Sequence, residues 1–350
     1  MTTLFVGSYA PADAPGIKVF DLDATEGFRL LHEQRGVVNP SYVALDPAGR
    51  RLFAVSETGI DADGVGGAVH AFGIDGDGGR ISLTELGRRP SGGDHPCHIG
   101  IDRTGAWLAV SNYGSGTVSV LPVESDGSLG EAVTVLRHRG RGARPERQSG
   151  PHAHSATFCG DDRYLLVADL GTDRLMLYRF DSATGSCEPV FEGVADPGSG
   201  PRHIAMHPGG EDLFVVNELD NSLAWWKLDR EAGTLSSQAS VASVPRSDSG
   251  HLAADVHVSS AGNRVYVSNR GHDSIAVFSF EPSSGLRPMA TCDSGGEWPR
   301  SFGLTPEGEF VIVANQHSGG VVALPVDPDG GLGDVRFEVE VTEASSVALT

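Results

Sequence analysis

The sequence predicts an all-β protein, a single seven-bladed β-propeller over residues 1–350, and three observations carry that expectation. Gly 47 and Pro 20 in 350 residues, with hydrophobics at 39%, are too apolar for a disordered chain and too rich in turn formers for a helical bundle. A unit of two alternating apolar stretches around a Gly- or Asp-centred turn recurs along the chain. Finally, the piece missing from the partial unit at the N-terminus is found at the C-terminus.

The unit is read in NPSYVALDPAGRRLFAVSE, HPCHIGIDRTGAWLAVSN, GPHAHSATFCGDDRYLLVAD, GPRHIAMHPGGEDLFVVNE, AADVHVSSAGNRVYVSNR and WPRSFGLTPEGEFVIVANQ. Period two and the turn chemistry make each a β-hairpin. A third alternating run follows most of them, such as DRLMLYRF, NSLAWWKL and DSIAVFSF, so each unit has at least three strands. The polar residue closing the second strand is a register mark: Ser56, Asn112, Asp169, Asn217, Asn269 and Asn315, at steps of 56, 57, 48, 52 and 46. Ser8 in LFVGS lies 48 before Ser56 and makes seven marks. The first strand that LFVGS lacks is supplied by ASSVALT (Ala344 to Thr350), which resembles PSYVALD (Pro40 to Asp46). If the termini meet, the ring closes and two open sheet edges disappear. An open solenoid would leave ASSVALT without a role and should show polar capping units, which the sequence lacks.

Asp+Glu 46 against Lys+Arg 26 gives a net charge of −20, which repels a polyanion and excludes general nucleic-acid binding, but leaves room for a small anion held by local arginines. No 18-residue apolar run exists, and MTTLFVGSYAPADAP lacks a basic start and a signal-length apolar core. The expectation is a soluble, cytoplasmic protein with no membrane partner, a monomer or weak homo-oligomer. Cys97, Cys159, Cys187 and Cys292 are scattered, so buried free thiols are expected, with neither a disulfide frame nor a metal site. No P-loop, dinucleotide fingerprint, GxSxG, HExxH or EF-hand loop is present, and no cofactor is expected. Low complexity is confined to loops such as Gly59 to Gly67 and Asp75 to Gly79. The insertion RHRGRGARPERQSG, with Arg137, Arg139, Arg141, Arg144 and Arg147, is either a solvated loop or a cationic lip over an anion site.

With no motif to carry chemistry, the site must come from geometry. In an antiparallel hairpin the start of the first strand lies beside the end of the second, so both share one rim of the central channel. Entering strand one are Ser41, Cys97, His152, Arg202, Ala254, Arg300 and Ser346; just past the mark are Tyr9, Glu57, Tyr113, Leu170, Glu218, Arg270 and Gln316. These columns gather arginines, glutamates and a histidine at one opening, able to position and activate a water and to hold an anion. Alternatively Glu57, Glu218, Arg202, Arg270 and Arg300 are ion pairs that close the funnel. His152 and His154, read on one strand face in GPHAHS, point to function rather than packing. His98, His203 and His257 read as blade-packing residues, and the marks Asp169, Asn217, Asn269 and Asn315 as groups bonding the backbone at the strand end. Trp225 and Trp226 fall in a third strand, one of them packing between blades.

With GPRHIAMHP, VVNEL, VYVSNRGHDSIAVF, PRSFGLTPEGEFVIVANQ and GPHAHS placed on blades, the chain resembles the lactonase family of seven-bladed β-propellers over essentially its whole length. GPRH, then VVNEL, then SNRGHDSIAVF is the most specific part of that resemblance. The resemblance implies a metal-independent lactone hydrolase, foremost on 6-phosphogluconolactone in the pentose phosphate pathway, with a His, an Arg, a Glu and a second Arg at the channel mouth. His152 or His154, Arg202, Glu218 and Arg270 match, and which histidine corresponds stays open. On that reading the histidine is the base, Glu218 orients the water or the imidazole, Arg202 meets the oxyanion, and Arg270 and Arg300 hold the phosphate. Glu57, Gln316 and Tyr113 complete the contacts to a small anionic lactone. A carboxymuconate cycloisomerase and a non-catalytic binding module are the alternatives; a calcium-dependent gluconolactonase-like site is disfavoured by the arginines, which repel a divalent cation.

Overall fold

A computed structural model describes residues 2–60, 66–77, 79–245 and 250–350, so the low-complexity loops at 59–67 and 75–79 lie partly outside the described residues. Among these residues every regular element is a strand, and the strands form seven four-stranded antiparallel sheets. The fourth, outermost strand of each blade escaped the sequence pattern because one side of it meets solvent. Ser186–Val194 and Gly285–Asp293, for example, are mostly exposed and show little apolar alternation.

The ring closes as the termini foretell. Blade one places Ala344–Leu349 innermost, followed outward by Thr2–Ser8, Ile17–Asp23 and Gly27–Gln34. Val6 pairs with Val347 and Phe5 with Ala348. The innermost strands of blades two to seven are Val43–Leu45, Pro96–Ile101, Ala153–Cys159, Pro201–Met206, Leu252–Val258 and Pro299–Leu304. Successive inner strands touch in cyclic order and line the channel.

Side chains alternate across each strand, and middle strands have a blade on either side, so both faces are apolar. The result is seven hydrophobic clusters, one at each blade interface. In Asp212–Asn217, Leu213 and Val215 pack towards blade four while Phe214 and Val216 pack towards blade six. Trp226 and Trp225 split the same way, so both pack between blades where one was expected, and Trp225 Nε1 donates to Asp212 Oδ1 at 2.7 Å. Burying each such aromatic side chain contributes about 1.5–3 kcal/mol.

The turn after the second strand needs a left-handed residue four positions past the mark. Gly116, Asp173, Asn221, Asp273 and Gly319 occupy it with φ of 54–66°, the residue types that tolerate it best. All four cysteines are free; Cys97 and Cys159 are buried, but Cys187 and Cys292 are half-buried because they sit on outermost strands, a correction to the expectation of four buried thiols. Among the described residues no helix is long and apolar enough to cross a membrane.

Closure by Ala344–Leu349 makes a direct prediction. Deleting residues 344–350 leaves Thr2–Ser8 and the neighbouring inner strands with open edges, and should lower the melting temperature by roughly 10 °C or more and promote aggregation. Calorimetry with light scattering checks this; an unchanged melting curve would mean that the terminal strand is dispensable.

Candidate active site

Six blades carry an irregularity at the entrance of the inner strand, where one extra residue interrupts the pairing with the second strand. Such a bulge re-aims a side chain. The residues it singles out are Cys97, His154, Arg202, Ala254, Arg300 and Ser345; the first five stand fifteen positions before the mark of their own blade, and Ser41 holds the same offset from Ser56.

This corrects the expected column at two places. His154, not His152, occupies the bulge of blade four, and Ser345, not Ser346, that of blade one. His152 precedes the strand, its ring stacked on Tyr113 at 4.4 Å between centroids and its Nδ1–H donating to the Tyr113 carbonyl at 2.9 Å. The two histidines therefore do not share a strand face. Ser346 pairs with Gly7, and its Oγ accepts the Val43 N–H at 3.1 Å.

The second column is held by backbone bonds to the segments that enter the inner strands. The N–H groups of Tyr9, Glu57, Tyr113, Leu170, Glu218 and Gln316 bond carbonyls of the segment leading into an inner strand, which holds these residues at the mouth. Arg270 is fixed by its pairing with Leu252. Three of the marks bond the backbone as expected: Asp169 Oδ1 accepts the N–H of His152, Gly171 and Thr172 at 2.9–3.1 Å, Asn315 Nδ2 donates to the Ser294 carbonyl at 2.9 Å and Asn269 Nδ2 to that of Val267 at 3.4 Å, whereas Asn217 Nδ2 donates to Ser222 Oγ at 2.9 Å, a correction to its expected role. Gly171 is required there, because a Cβ would lie 2.0 Å from the Gly150 carbonyl.

The mouth holds two charge clusters. In one, Glu218 accepts from Arg202 Nε at 3.1 Å, from Arg270 Nη2 at 2.7 Å and from Arg147. Burial would raise the Glu218 carboxyl, but Arg270, Arg202 and Arg147 outweigh it and hold the group down at about 2. Burial in turn lowers Arg270 to about 10, against the pull of Glu218. In the other cluster Arg300 Nη2 donates to the Tyr9 hydroxyl at 2.8 Å, and Tyr9 donates to Glu57 Oε2 at 2.7 Å; Ser41 Oγ donates to the same oxygen. Gln316 turns aside to Glu343, at 3.0 Å.

Below the rim lies a layer that sequence reasoning missed. Tyr42, His98, His154 and His203 come from four blades and pack ring against ring, with centroids 4.6 Å apart for Tyr42–His98 and 5.3 Å for both His98–His203 and His154–His203. His98 and His203 are thus channel residues rather than packing within a blade, while His257 does lie against Phe302, at 4.7 Å. His203 Nδ1–H donates to Asp255 Oδ1 at 2.8 Å, leaving Nε2 to face Arg202 Nη1 at 3.3 Å. Burial and then Arg202 push His203 down to about 4, so it is neutral at pH 7 and can accept from the guanidinium. Burial, Arg202, His203 and Arg300 push His154 well below the usual histidine range, which makes its imidazole a free base at neutral pH. The Cys97 thiol beside it, 3.8 Å from His154 Nδ1, is pushed up by burial and stays protonated.

The arginine insertion divides between its two expected roles. Arg147 folds over the mouth to Glu218 and also bonds Tyr113, whereas Arg137, Arg139 and Arg141 are exposed. Gln148 fixes the division: it is fully buried, its Nε2 donates to the Leu170 carbonyl at 2.8 Å and to Asp173 Oδ1 at 2.7 Å, and its Oε1 accepts the Arg144 N–H at 2.9 Å. A cavity of 700 Å³ that includes Arg144, Arg147, Asp220 and His251 adjoins this side of the mouth.

The fold and this mouth define a propeller that gathers a neutral imidazole and several guanidinium groups at one opening. The chain belongs to the family described as Lactonase, 7-bladed beta-propeller, whose profile matches residues 3–349. It is 36% identical over 335 residues to a 6-phosphogluconolactonase of Bacillus subtilis (strain 168), covering 93% of this chain and 92% of the relative. It is 32% identical over 355 residues to a 6-phosphogluconolactonase of Formosa agariphila, covering 99% of each. The periplasmic gluconolactonase of Pseudomonas aeruginosa has the same fold, with a TM-score of 0.91 at 31% identity over 100% of this chain and 99% of that one.

Glu218 is the hub of three arginines, and that makes its charge a stability determinant. A carboxyl held at about 2 when folded and near 4.5 when unfolded contributes about 3 kcal/mol that is fully present above pH 4.5 and is lost as pH falls towards 2. Glu218→Gln should therefore unfold more easily than the parent by about 3–5 kcal/mol at pH 7, since it leaves buried arginines uncompensated, and the gap should narrow between pH 4.5 and 2. Urea unfolding across that range measures it; a gap independent of pH would show that the carboxylate charge is not the source.

Proposed function

We propose that this chain is a lactone hydrolase that opens 6-phospho-D-glucono-1,5-lactone to 6-phosphogluconate. The observation that carries the reading is the grouping of guanidinium groups at the mouth: Arg147, Arg202 and Arg270 share the one carboxylate of Glu218, and Arg300 reaches Glu57 only through the Tyr9 hydroxyl, in a chain of net charge −20. The relatives named 6-phosphogluconolactonase support the choice of substrate.

In the mechanism, a water adds to the lactone C1 carbonyl while neutral His154 takes its proton. Arg202, aimed by the Asp255–His203 pair, stabilises the oxyanion with Nη2, its one guanidinium nitrogen without a partner among the described residues; such a donor contributes about 3–4 kcal/mol. Collapse of the oxyanion breaks the bond from C1 to the ring oxygen, which leaves as the C5 hydroxyl with the proton held by His154. Arg300, which donates to the Tyr9 hydroxyl and forms no ion pair among the described residues, and Arg270 hold the phosphate, and Tyr113 and Glu57 frame the ring. Glu218 orients the arginines rather than the water, because three charge-assisted bonds occupy it and none goes to a histidine. His152 is a support for Tyr113, and Gln316, turned to Glu343, lies at the edge. A charged sugar phosphate stays within the cell, so this reading carries a cytoplasmic place in the pentose phosphate pathway with it.

Arg300→Ala should chiefly raise KM for the phosphorylated lactone and narrow its advantage over unphosphorylated gluconolactone, while His154→Gln should lower kcat by roughly 100-fold or more on both. Acid release from both lactones, corrected for spontaneous hydrolysis, reads the split; full activity of His154→Gln would remove the base assigned here. EDTA should leave turnover intact, because the guanidinium groups repel a divalent cation; inhibition reversed by calcium would overturn a metal-independent step.

A further inference from the structure

Apart from the mouth, a cavity of 320 Å³ opens between the outer strands of blades three and four, beside Thr134–Arg137 and Arg174–Asp181. Arg137, Arg139, Arg141 and Arg174 line it, and among the described residues the one carboxylate in its wall is that of Glu192. Arg174 Nε donates to Glu192 at 2.7 Å, so that pair is neutral. Arg137, Arg139 and Arg141 have no acidic partner among the described residues. Three unmatched guanidinium groups in a chain of net charge −20 are a local reversal of sign.

An independent observation lies in the same wall. His138 is 97% buried and Nδ1 is 2.6 Å from Asp169 Oδ2. Asp169 accepts three backbone N–H groups on its other oxygen and can only accept from the ring, so Nδ1 carries the proton. Nε2 is buried and has no partner, an orphan that calls for a ligand or water oxygen. Tyr178 covers the ring from one side, nearly parallel at 16°.

We propose that this cavity is a second anion site that takes the phosphate of a small phosphorylated metabolite. Three unmatched cations suit a phosphate monoester better than a single carboxylate, and a phosphate oxygen that keeps its proton donates it to the Nε2 of His138. The size, at the small end of the range of about 300–1,000 Å³ for ligand pockets, fits one metabolite, and the acidic surface excludes a polyanion. The site and the channel mouth lie on opposite oxygens of Asp169, His138 on one and the His152 backbone on the other.

The test follows the ring signals of His138 by NMR while glucose 6-phosphate is added to the full chain, with the signals assigned from His138→Gln. A saturable shift is expected, reproduced by inorganic phosphate and absent with glucose. Arg139→Ser with Arg141→Ser, at exposed positions, should weaken it roughly tenfold or more without altering lactone turnover measured free of added phosphate. Arg300→Ala, at the mouth, should leave it unchanged. No shift, an affinity indifferent to the Arg139 and Arg141 changes, or a shift abolished by Arg300→Ala would overturn the proposal, and none of these outcomes depends on whether the chain opens lactones.

Discussion

Everything in this molecule hangs on the hydrogen-bonded pairing of the last strand with the first. Val347 opposite Val6 and Ala348 opposite Phe5 convert a linear series of antiparallel sheets into a ring. A blade by itself is a four-stranded sheet with two apolar faces, which cannot be stable in water; in a ring every face finds a neighbour. The seven interface clusters are therefore a consequence of closure, and so is the channel, since only a ring brings seven strand entrances to a common mouth.

At that mouth, rigid backbone allows a concentration of like charge that a loop could not hold. Arg202 and Arg270 are buried together around Glu218, and the carboxylate is the counter-charge that makes their burial tolerable. Arg202 is further restrained through His203 by Asp255, a buried carboxylate that the nearby His257 and His203 keep well below its usual range against the opposing effect of burial. The preorganised guanidinium groups need no rearrangement to meet a developing oxyanion or a phosphate. The arginine-bearing insertion adds Arg147, which has no equivalent position in the repeat. Gln148 anchors the C-terminal end of the insertion, so that Arg147 is delivered to the mouth while Arg139 and Arg141 stay outside.

Much of the candidate site was legible in the repeat. Once the marks were aligned, Glu57, Tyr113, Glu218 and Arg270 fell into one column and Arg202 and Arg300 into another, because strands of similar length in equivalent blades bring equivalent residues to one rim. The placement of His154 was also encoded: it stands fifteen residues before Asp169, as Arg202 does before Asn217 and Arg300 before Asn315. The expected column held His152, seventeen residues before Asp169, and the bulge shows that the backbone obeys the fifteen-residue spacing. Asp255 could have been found beside Ala254 by the same spacing. Gln148 could not, and Arg147 could be named only as one of five arginines of a possible lip, since an insertion has no repeat to be aligned with.

What the sequence determined by itself is whatever repeats or pairs locally: the alternation that makes strands, the Gly, Asn or Asp that turns them, the seven marks, and the complementary ends that close the ring. Only the tertiary structure decided the charge states and partners at the mouth. A carboxyl held at about 2, a histidine lowered to about 4 and a His154 left neutral arise from groups on different blades buried against one another, such as Glu218 and Arg270 or His154 and Arg202. Electrostatic energy depends on distance and on the water removed, and neither is written in the order of residues along a chain.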